Sequence, residues 1–192
     1  IGLVRILSLF GSDALAGYTI GIRVIIFALL PAFGISNAAA TMVGQNLGAG
    51  HPERAIRGVQ VAARIGIGVA AIVGALFLLI PEYLLAIFGL DDPNVVAIGT
   101  ELLRYLSVSG FFITVALTYT GGLQGTGDTR SPLFITLVSQ VLVPLGLCWT
   151  LQSLGRLDAA GVWSAIVLGH VTRCVLSVLR FRQGKWRHII VE

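Results

Sequence analysis

Charged residues are scarce in this 192-residue sequence. Asp, Glu, Lys and Arg make up 11% of the chain, whereas a soluble domain carries about 25%. Apolar residues make up 56%, and the mean hydropathy is +0.91. The alternation of apolar and polar residues that marks membrane-spanning strands is also missing. Because backbone polar groups must be paired inside a bilayer, the sequence excludes a soluble domain and predicts membrane-spanning helices.

Residues that carry chemistry are equally scarce. Cys148 and Cys174 fall in different apolar runs at different membrane depths, so no disulfide is expected. A membrane-embedded enzyme needs His and carboxylate groups that converge at one depth, and His170 has no acidic partner in its span. Basic residues are spread along the chain and mostly flank the spans. We therefore expect no enzyme, no metal site, no cofactor and no nucleic-acid partner.

Five apolar segments are long enough to cross a bilayer as helices. They run over Ala14–Leu47, Ala55–Ile80, Val95–Leu123, Pro132–Leu151 and Ala159–Leu179. A kink is expected in the first of them, at Pro31 and Gly34. Tyr83–Leu90 is predicted to be a surface connection. Ile1–Phe10 is apolar but too short to span alone, so the fold class is an all-α polytopic membrane protein with five complete spans and the end of a sixth.

Two glycine-rich hairpins join these spans: the first hairpin is Gly44–Ala55 and the second hairpin is Gly122–Pro132. If the spans alternate in direction, both hairpins and the basic tail Arg180–Arg187 lie on one side of the membrane. That side holds Arg54, Arg57, Arg64, Arg130, Arg180, Arg182, Lys185 and Arg187, and the other side holds Asp13, Glu82, Asp91, Asp92 and Asp158. Excess Lys and Arg mark the cytoplasmic face, so the hairpins and the C-terminus are predicted to be cytoplasmic.

The residues of the first hairpin are predicted to be structural. Gly48 and Gly50 are expected to take the left-handed conformation that closes a helix. Pro52 suits the first turn of the next helix, where Glu53 complements the helix dipole. Gly44 and Gln45 complete the hairpin's set of structural residues.

The second hairpin repeats this plan. Gly125 and Gly127 are expected to end the preceding helix. Ser131 is expected to cap the following helix, with Pro132 at its first position. Asp128 belongs to the same structural set.

Together the hairpins resemble those of multidrug and toxic compound extrusion (MATE) transporters. The resemblance is carried by GQNLGAG-x-PERA, by G-x-GDTR-x-P between two later spans, and by the basic tail containing GKW. Members of that family have twelve spans in two six-span lobes. The resemblance therefore implies that residues 1–192 form the second lobe, that Ile1–Phe10 ends span seven, and that a first lobe precedes this sequence. A natural half-transporter that dimerises is the alternative.

A transporter needs polar helix faces that line a cavity, because ionisable groups in lipid are costly and usually functional. The cavity candidates are Thr19, Arg23, Asn37 and Thr41 in the first span, Ser107, Thr114 and Thr118 in the third, Gln140 in the fourth and His170 in the fifth. For the hydroxyl residues the alternative is close helix packing. Arg23 has the alternative of snorkelling to the interface, and His170 that of a hydrogen-bonded packing residue.

The third span lacks an acidic residue that some family members carry before the second hairpin. Counting back from Leu123, that position is Ile113, and residues 111–122 contain no Asp or Glu. By resemblance, the coupling ion, H+ or Na+, is expected to bind in the other lobe.

The leading functional hypothesis is a secondary active antiporter. It would export amphipathic or cationic organic compounds in exchange for H+ or Na+ by alternating access. Its partners would be small organic substrates, the lipid bilayer and the first lobe of the same protein. The alternative is a related flippase for lipid-linked oligosaccharides or peptidoglycan precursors, which should have a more cationic cavity. The expected location is a bacterial or archaeal inner membrane.

Overall fold

The computed structural model describes residues 12–87, 89 and 92–188, among which there are helices and no strand. The helices are α1 (Ser12–Gly48), α2 (Pro52–Leu79), α3 (Pro81–Ile87), α4 (Pro93–Gly125), α5 (Arg130–Leu137), α6 (Val143–Ser153) and α7 (Ala159–Arg182). A π-helical segment, Val138–Leu142, joins α5 directly to α6, and a 3-10 turn, Lys185–His188, follows α7.

Five helical stretches are long and apolar enough to cross a membrane: α1, α2, α4, the continuous stretch from α5 to α6, and α7. This confirms the five predicted spans, whereas Ile1–Phe10 lies outside the described residues. The first span continues as a helix through Pro31, and the kink there stays a prediction. The surface connection predicted for Tyr83–Leu90 overlaps the short helix Pro81–Ile87. Tyr83 and Ile87 are exposed, as expected, whereas Leu85 is fully buried against Gly99.

Helix α4 is the centre of the bundle, with α1, α2 and α7 packed around it. Its buried side chains form the main core together with residues of α1 and α7. The outer faces of the bundle carry large exposed apolar side chains, such as Ile72 and Leu79. In water such a surface would be unusual, but it is the surface that a lipid bilayer covers.

Glycines let the backbone of α4 approach that of α1 closely. At Gly121 an added Cβ would collide with the carbonyl oxygen of Ser36, and at Gly125 it would collide with that of Ala40. The Ser36 hydroxyl donates to the Leu117 carbonyl at 2.8 Å across the same contact. Small residues at such crossings are how membrane helices pack tightly.

Both hairpins close the preceding helix with the same motif, centred on one glycine each. Gly50 has φ +74° and Gly127 has φ +83°. In each case the glycine N–H donates to the carbonyl three residues earlier, and the next N–H donates to the carbonyl five residues earlier. This pair of hydrogen bonds is the Schellman pattern. The left-handed conformation predicted for Gly48 is wrong, because Gly48 is the last residue of α1. Gly125 likewise lies within α4, and its role is the close approach to α1.

The helices that follow the hairpins begin in different ways. Pro52 is the first residue of α2 and Glu53 lies in its first turn, as predicted. In the second hairpin the predicted cap is wrong, because Ser131 and Pro132 already lie inside α5. The capping group is Asp128, whose carboxylate accepts the Ser131 N–H at 3.0 Å and the Ser131 hydroxyl at 2.7 Å.

Asp128 also ties the second hairpin to the end of α7. Its carboxylate pairs with Arg180 at 3.0 Å (Nη2 to Oδ2), and the Arg180 Nε donates to Ser131 Oγ at 2.8 Å. Burial alone raises the pKa of this carboxyl, but the hydrogen bonds from Ser131 and the charge of Arg180 outweigh it and hold the pKa below its usual value of 3.8. We call this group of Asp128, Ser131 and Arg180 the hairpin clasp.

From the hairpin clasp we expect the stability of the protein to depend on pH in a defined way. Because folding lowers the Asp128 pKa, its stabilising contribution is complete above the ordinary value of 3.8 and is lost as the pH falls below that towards the folded value. We expect the difference in melting temperature between the wild type and Asp128→Asn to stay constant from pH 7 to pH 5 and to shrink below about pH 4. Thermal unfolding in detergent over this pH range measures it. A difference that already shrinks between pH 7 and pH 5 contradicts the assignment.

Candidate functional site

A pocket of about 330 Å³ lies inside the bundle among α1, α4, α7 and the stretch from the π segment into α6. Its described lining consists of Tyr18, Ile22, Ile25, Ile26, Leu29, Phe33, Leu102, Leu106, Ile113, Leu117, Gln140, Pro144, Ile166, His170 and Arg173. Gln140 and His170 each lie about 15–20 Å from both ends of their spans, at 1.5 Å per residue. The pocket is therefore at the depth of the membrane centre.

The polar wall of the pocket begins with a contact between two spans. Gln140 Nε2 lies 3.3 Å from His170 Nδ1. The two residues are brought together by a close crossing, because the neighbouring Gly169 leaves room for the Ser139 carbonyl oxygen, which an added Cβ would meet at 2.5 Å. Ser139 and Gln140 both belong to the π-helical segment, a feature that often marks functional sites.

Arg173 completes this wall, one helical turn beyond His170. It lines the pocket, and its buried Nε has no hydrogen-bond partner among the described residues. Arg173 follows His170 by three residues, a spacing that puts both side chains on one face of the helix. That spacing can be read from the sequence, whereas the pocket that the two residues share cannot.

The remaining walls are apolar. Ile22, Ile25 and Leu29 of α1 face Leu102 and other apolar residues of α4 across the pocket. Ile113 is part of this wall too, so the position where some family members carry an acidic residue faces the pocket with an alkyl group. A pocket with mostly apolar walls and a few converging polar groups is typical of a small-molecule site.

The polar stripe predicted on the first span does not line the pocket. Thr19, Arg23, Asn37 and Thr41 are exposed in this lobe. At about 100° per residue they lie roughly a quarter turn around α1 from the side chains that line the pocket. The Thr19 and Thr41 hydroxyls each donate to a carbonyl four residues earlier. These four residues stay candidates for a cavity that this lobe would share with another.

The stripe predicted on the third span is buried inside the bundle. Ser107, Thr114 and Thr118 are at most 3% exposed. The Thr118 hydroxyl donates to the Thr114 carbonyl at 2.9 Å, and Gly66 of α2 packs directly on Thr114. Ser107 and Thr114 line a cavity of only about 20 Å³. Their surroundings therefore favour the packing alternative, while Gln140 and His170 line the larger pocket.

Five apolar spans packed into one helical bundle place the chain in the class of polytopic all-α membrane proteins. The sequence model of the MatE family matches residues 3–150. The chain belongs to the MatE family, whose members are transporters and not enzymes.

Similar proteins with curated names are multidrug resistance proteins. The chain is 32% identical over 182 residues to the "Probable multidrug resistance protein NorM" of Thermotoga maritima, covering 95% of this chain and 39% of that protein. It is 27% identical over 186 residues to the "Multidrug resistance protein PmpM" of Pseudomonas aeruginosa, covering 92% of this chain and 38% of that one. The chain thus spans about two fifths of the length of these relatives.

Solved structures show the same fold. An outward-facing multidrug resistance MATE transporter superposes with a TM-score of 0.86 at 20% identity, over 95% of this chain and 41% of that one. An inward-facing transporter of this kind superposes with a TM-score of 0.81 at 20% identity, over 89% and 39%. The observed bundle is therefore the fold of one part of these longer chains.

Proposed function

We propose that this chain is one lobe of a secondary active transporter that exports amphipathic organic compounds, cationic ones included, by alternating access. The pocket at mid-membrane depth carries this proposal. Substrate sites of secondary transporters lie near the bilayer midplane, and this pocket combines that depth with a polar wall and apolar sides. Relatives described as multidrug resistance proteins support the same substrate class.

A second lobe is part of the proposal. The exposed stripe on α1 offers polar groups on the outside of this bundle, next to the pocket-lining face. A partner lobe facing that stripe would enclose a shared aqueous cavity, and rocking of the two lobes would expose it to either side in turn. We place the hairpins and the C-terminus in the cytoplasm of a bacterial or archaeal cell, following the excess of basic residues on that side.

Export would be coupled to entry of H+ or Na+. Ion coupling usually uses a membrane-embedded carboxylate. The described residues that line the pocket include no Asp or Glu. We therefore place the coupling site in the partner lobe.

A flippase for lipid-linked oligosaccharides is supported less well. Its pyrophosphate-bearing substrates need several cations in the cavity, because each phosphate oxygen calls for a charge-assisted partner. Among the described lining residues, Arg173 is the one fixed positive charge, and Arg23 lies outside the pocket.

The transport proposal predicts that filling the pocket blocks export. The test uses the full-length protein in liposomes, ethidium as the fluorescent cation, and an imposed pH or Na+ gradient. The bulk of tryptophan in Ile22→Trp occupies space that a substrate needs, and we expect transport to fall roughly fivefold. Leu79→Trp is the matched control, because Leu79 is 78% exposed on the outer surface of the bundle.

Two results would count against the proposal. One is the absence of gradient-driven movement of ethidium and of a wider panel of dyes by the wild-type protein. The other is equal transport by the Ile22→Trp and Leu79→Trp variants, which would separate transport from this pocket.

A further inference from the structure

We propose that the pocket binds an organic anion, with Arg173 holding a carboxylate or similar acidic group and the apolar walls holding the rest of the molecule. This inference rests on the proposed function and names a substrate class for its site. The site consists of Arg173, His170 and Gln140 at one wall of the pocket, and we call these three residues the anion wall.

The first step concerns charge. A guanidinium at mid-membrane depth is costly unless an anion or a hydrated surface compensates it. Arg173 forms no ion pair with any described carboxylate, since the ion pair observed in that part of the chain joins Arg180 to Asp128. The described lining of the pocket also contains no Asp or Glu. The charge of Arg173 is thus available to a ligand.

The second step concerns hydrogen bonding. The buried Arg173 Nε–H has no acceptor within the described chain, and planar guanidinium groups bind carboxylates through two parallel N–H donors. The Gln140 amide nitrogen can only donate, so in its contact with His170 the Nδ1 atom accepts. A neutral His170 then carries its proton on Nε2, which makes that atom a second donor at the same wall.

The third step concerns size and polarity. The pocket of about 330 Å³ is far larger than an inorganic anion requires and has the size of a small organic ligand site. Its sides are alkyl and aromatic groups such as Ile25, Leu29 and Phe33. The pocket has one positive charge at one wall and apolar side chains on the others. Its charge and polarity are therefore complementary to those of an amphipathic molecule with a single negative charge. A compound without an acidic group, ethidium included, would leave the Arg173 Nε–H unpaired and would therefore bind at this wall more weakly.

The test compares two ligands that differ in a single group. Dansylglycine carries a carboxylate, and dansylglycinamide has the same ring system with a neutral amide in its place. Binding of each is measured by fluorescence titration of the full-length protein in phosphatidylcholine nanodiscs, with protein-free nanodiscs as the blank. We expect the wild type to prefer the carboxylate by about tenfold or more, the range of a hydrogen-bonded charge pair.

Substitutions then locate the preference. Arg173→Gln removes the charge, and we expect it to abolish the preference for dansylglycine. Arg173→Lys keeps the charge without the planar fork and should restore part of it. Arg156→Gln is the matched control, because Arg156 is exposed in the connection between the fourth and fifth spans; it should bind both ligands as the wild type does.

The outcomes separate this inference from the proposed function. If the wild type binds both ligands within about twofold of each other, less than half a kcal/mol, the inference is overturned even where Arg173→Gln cannot be purified. A preference that persists in Arg173→Gln overturns it as well. Ethidium transport by the wild type is measured in parallel, so a functional exporter without carboxylate preference refutes the inference alone, and a protein that moves no dye refutes the transport proposal.

Discussion

Replacing Gly121 with alanine is expected to destabilise the protein by forcing α4 away from α1. The new Cβ would overlap the backbone carbonyl of Ser36 and its hydroxyl. Backbone atoms cannot move aside as the end of a flexible side chain does, so α1 and α4 must separate. Overpacking of this kind costs about 1–3 kcal/mol and occasionally more. The same shift would lengthen the hydrogen bond from Ser36 Oγ to the Leu117 carbonyl, now 2.8 Å.

Gly146→Ala is the matched control for this variant. Gly146 is also a helical glycine in a span, but a Cβ there would meet no atom of the described chain within 4 Å. Since alanine favours a helix over glycine, we expect Gly146→Ala to be neutral or slightly stabilising. Thermal unfolding of both variants in detergent measures the difference. Equal melting temperatures would show that the α1–α4 crossing can relax without cost.

Removing the Asp128 carboxylate is expected to have an effect of similar size. Asp128→Ala takes away the acceptor for the Ser131 N–H and hydroxyl and also the ion-pair partner of Arg180. Hydrogen bonds to charged groups contribute about 1.5–3 kcal/mol, and Asp128 is 8% exposed, so little water replaces them. Arg180 is 30% exposed on its side chain and can be rehydrated in part, which keeps the expected loss near 2–3 kcal/mol.

Asp158→Ala supplies the comparison. Asp158 caps α7 by accepting the Gly161 N–H at 2.7 Å, but it is exposed and forms no ion pair within the described chain. Its removal should lower the melting temperature by less than half as much. In a double-mutant cycle, Asp128→Ala with Arg180→Ala should cost less than the sum of the single changes. Additive effects would mean that the ion pair does not couple α7 to the second hairpin.

Hydropathy predicted the spans well because lipid allows few alternatives. A stretch of apolar residues in a bilayer must be helical to pair its backbone groups, so the five spans and the helix ends at Gly50 and Gly127 follow from local sequence. The cap of α5 did not follow from it. Ser131 and Asp128 are both good capping residues. Arg180, which is 49 residues from Ser131 and 52 from Asp128, donates to both side chains and pairs with the Asp128 carboxylate, and local sequence does not show this contact.

The site was predictable to a similar degree. Gln140 and His170 stood out because polar groups are rare in their spans, and the structure brings them within 3.3 Å of each other. Thr114 and Thr118 carried the same polar signal but lie against Gly66 of α2. A hydroxyl bonded within its own helix suits both a cavity and a helix contact, so sequence alone cannot separate the two.

The π-helical segment Val138–Leu142 has a consequence for comparing this chain with its relatives. A π turn holds one residue more than the α-helical turn it replaces. Residues on either side of it therefore differ by about 100° from the directions that a continuous α-helix would give them. An aligned relative whose fourth span is a plain α-helix needs a one-residue gap within this segment. If the gap is placed elsewhere, every residue between the gap and this segment is aligned with a residue of the relative that points in a different direction. The residue of the relative aligned with Gln140 would then not be the one that faces the position of His170.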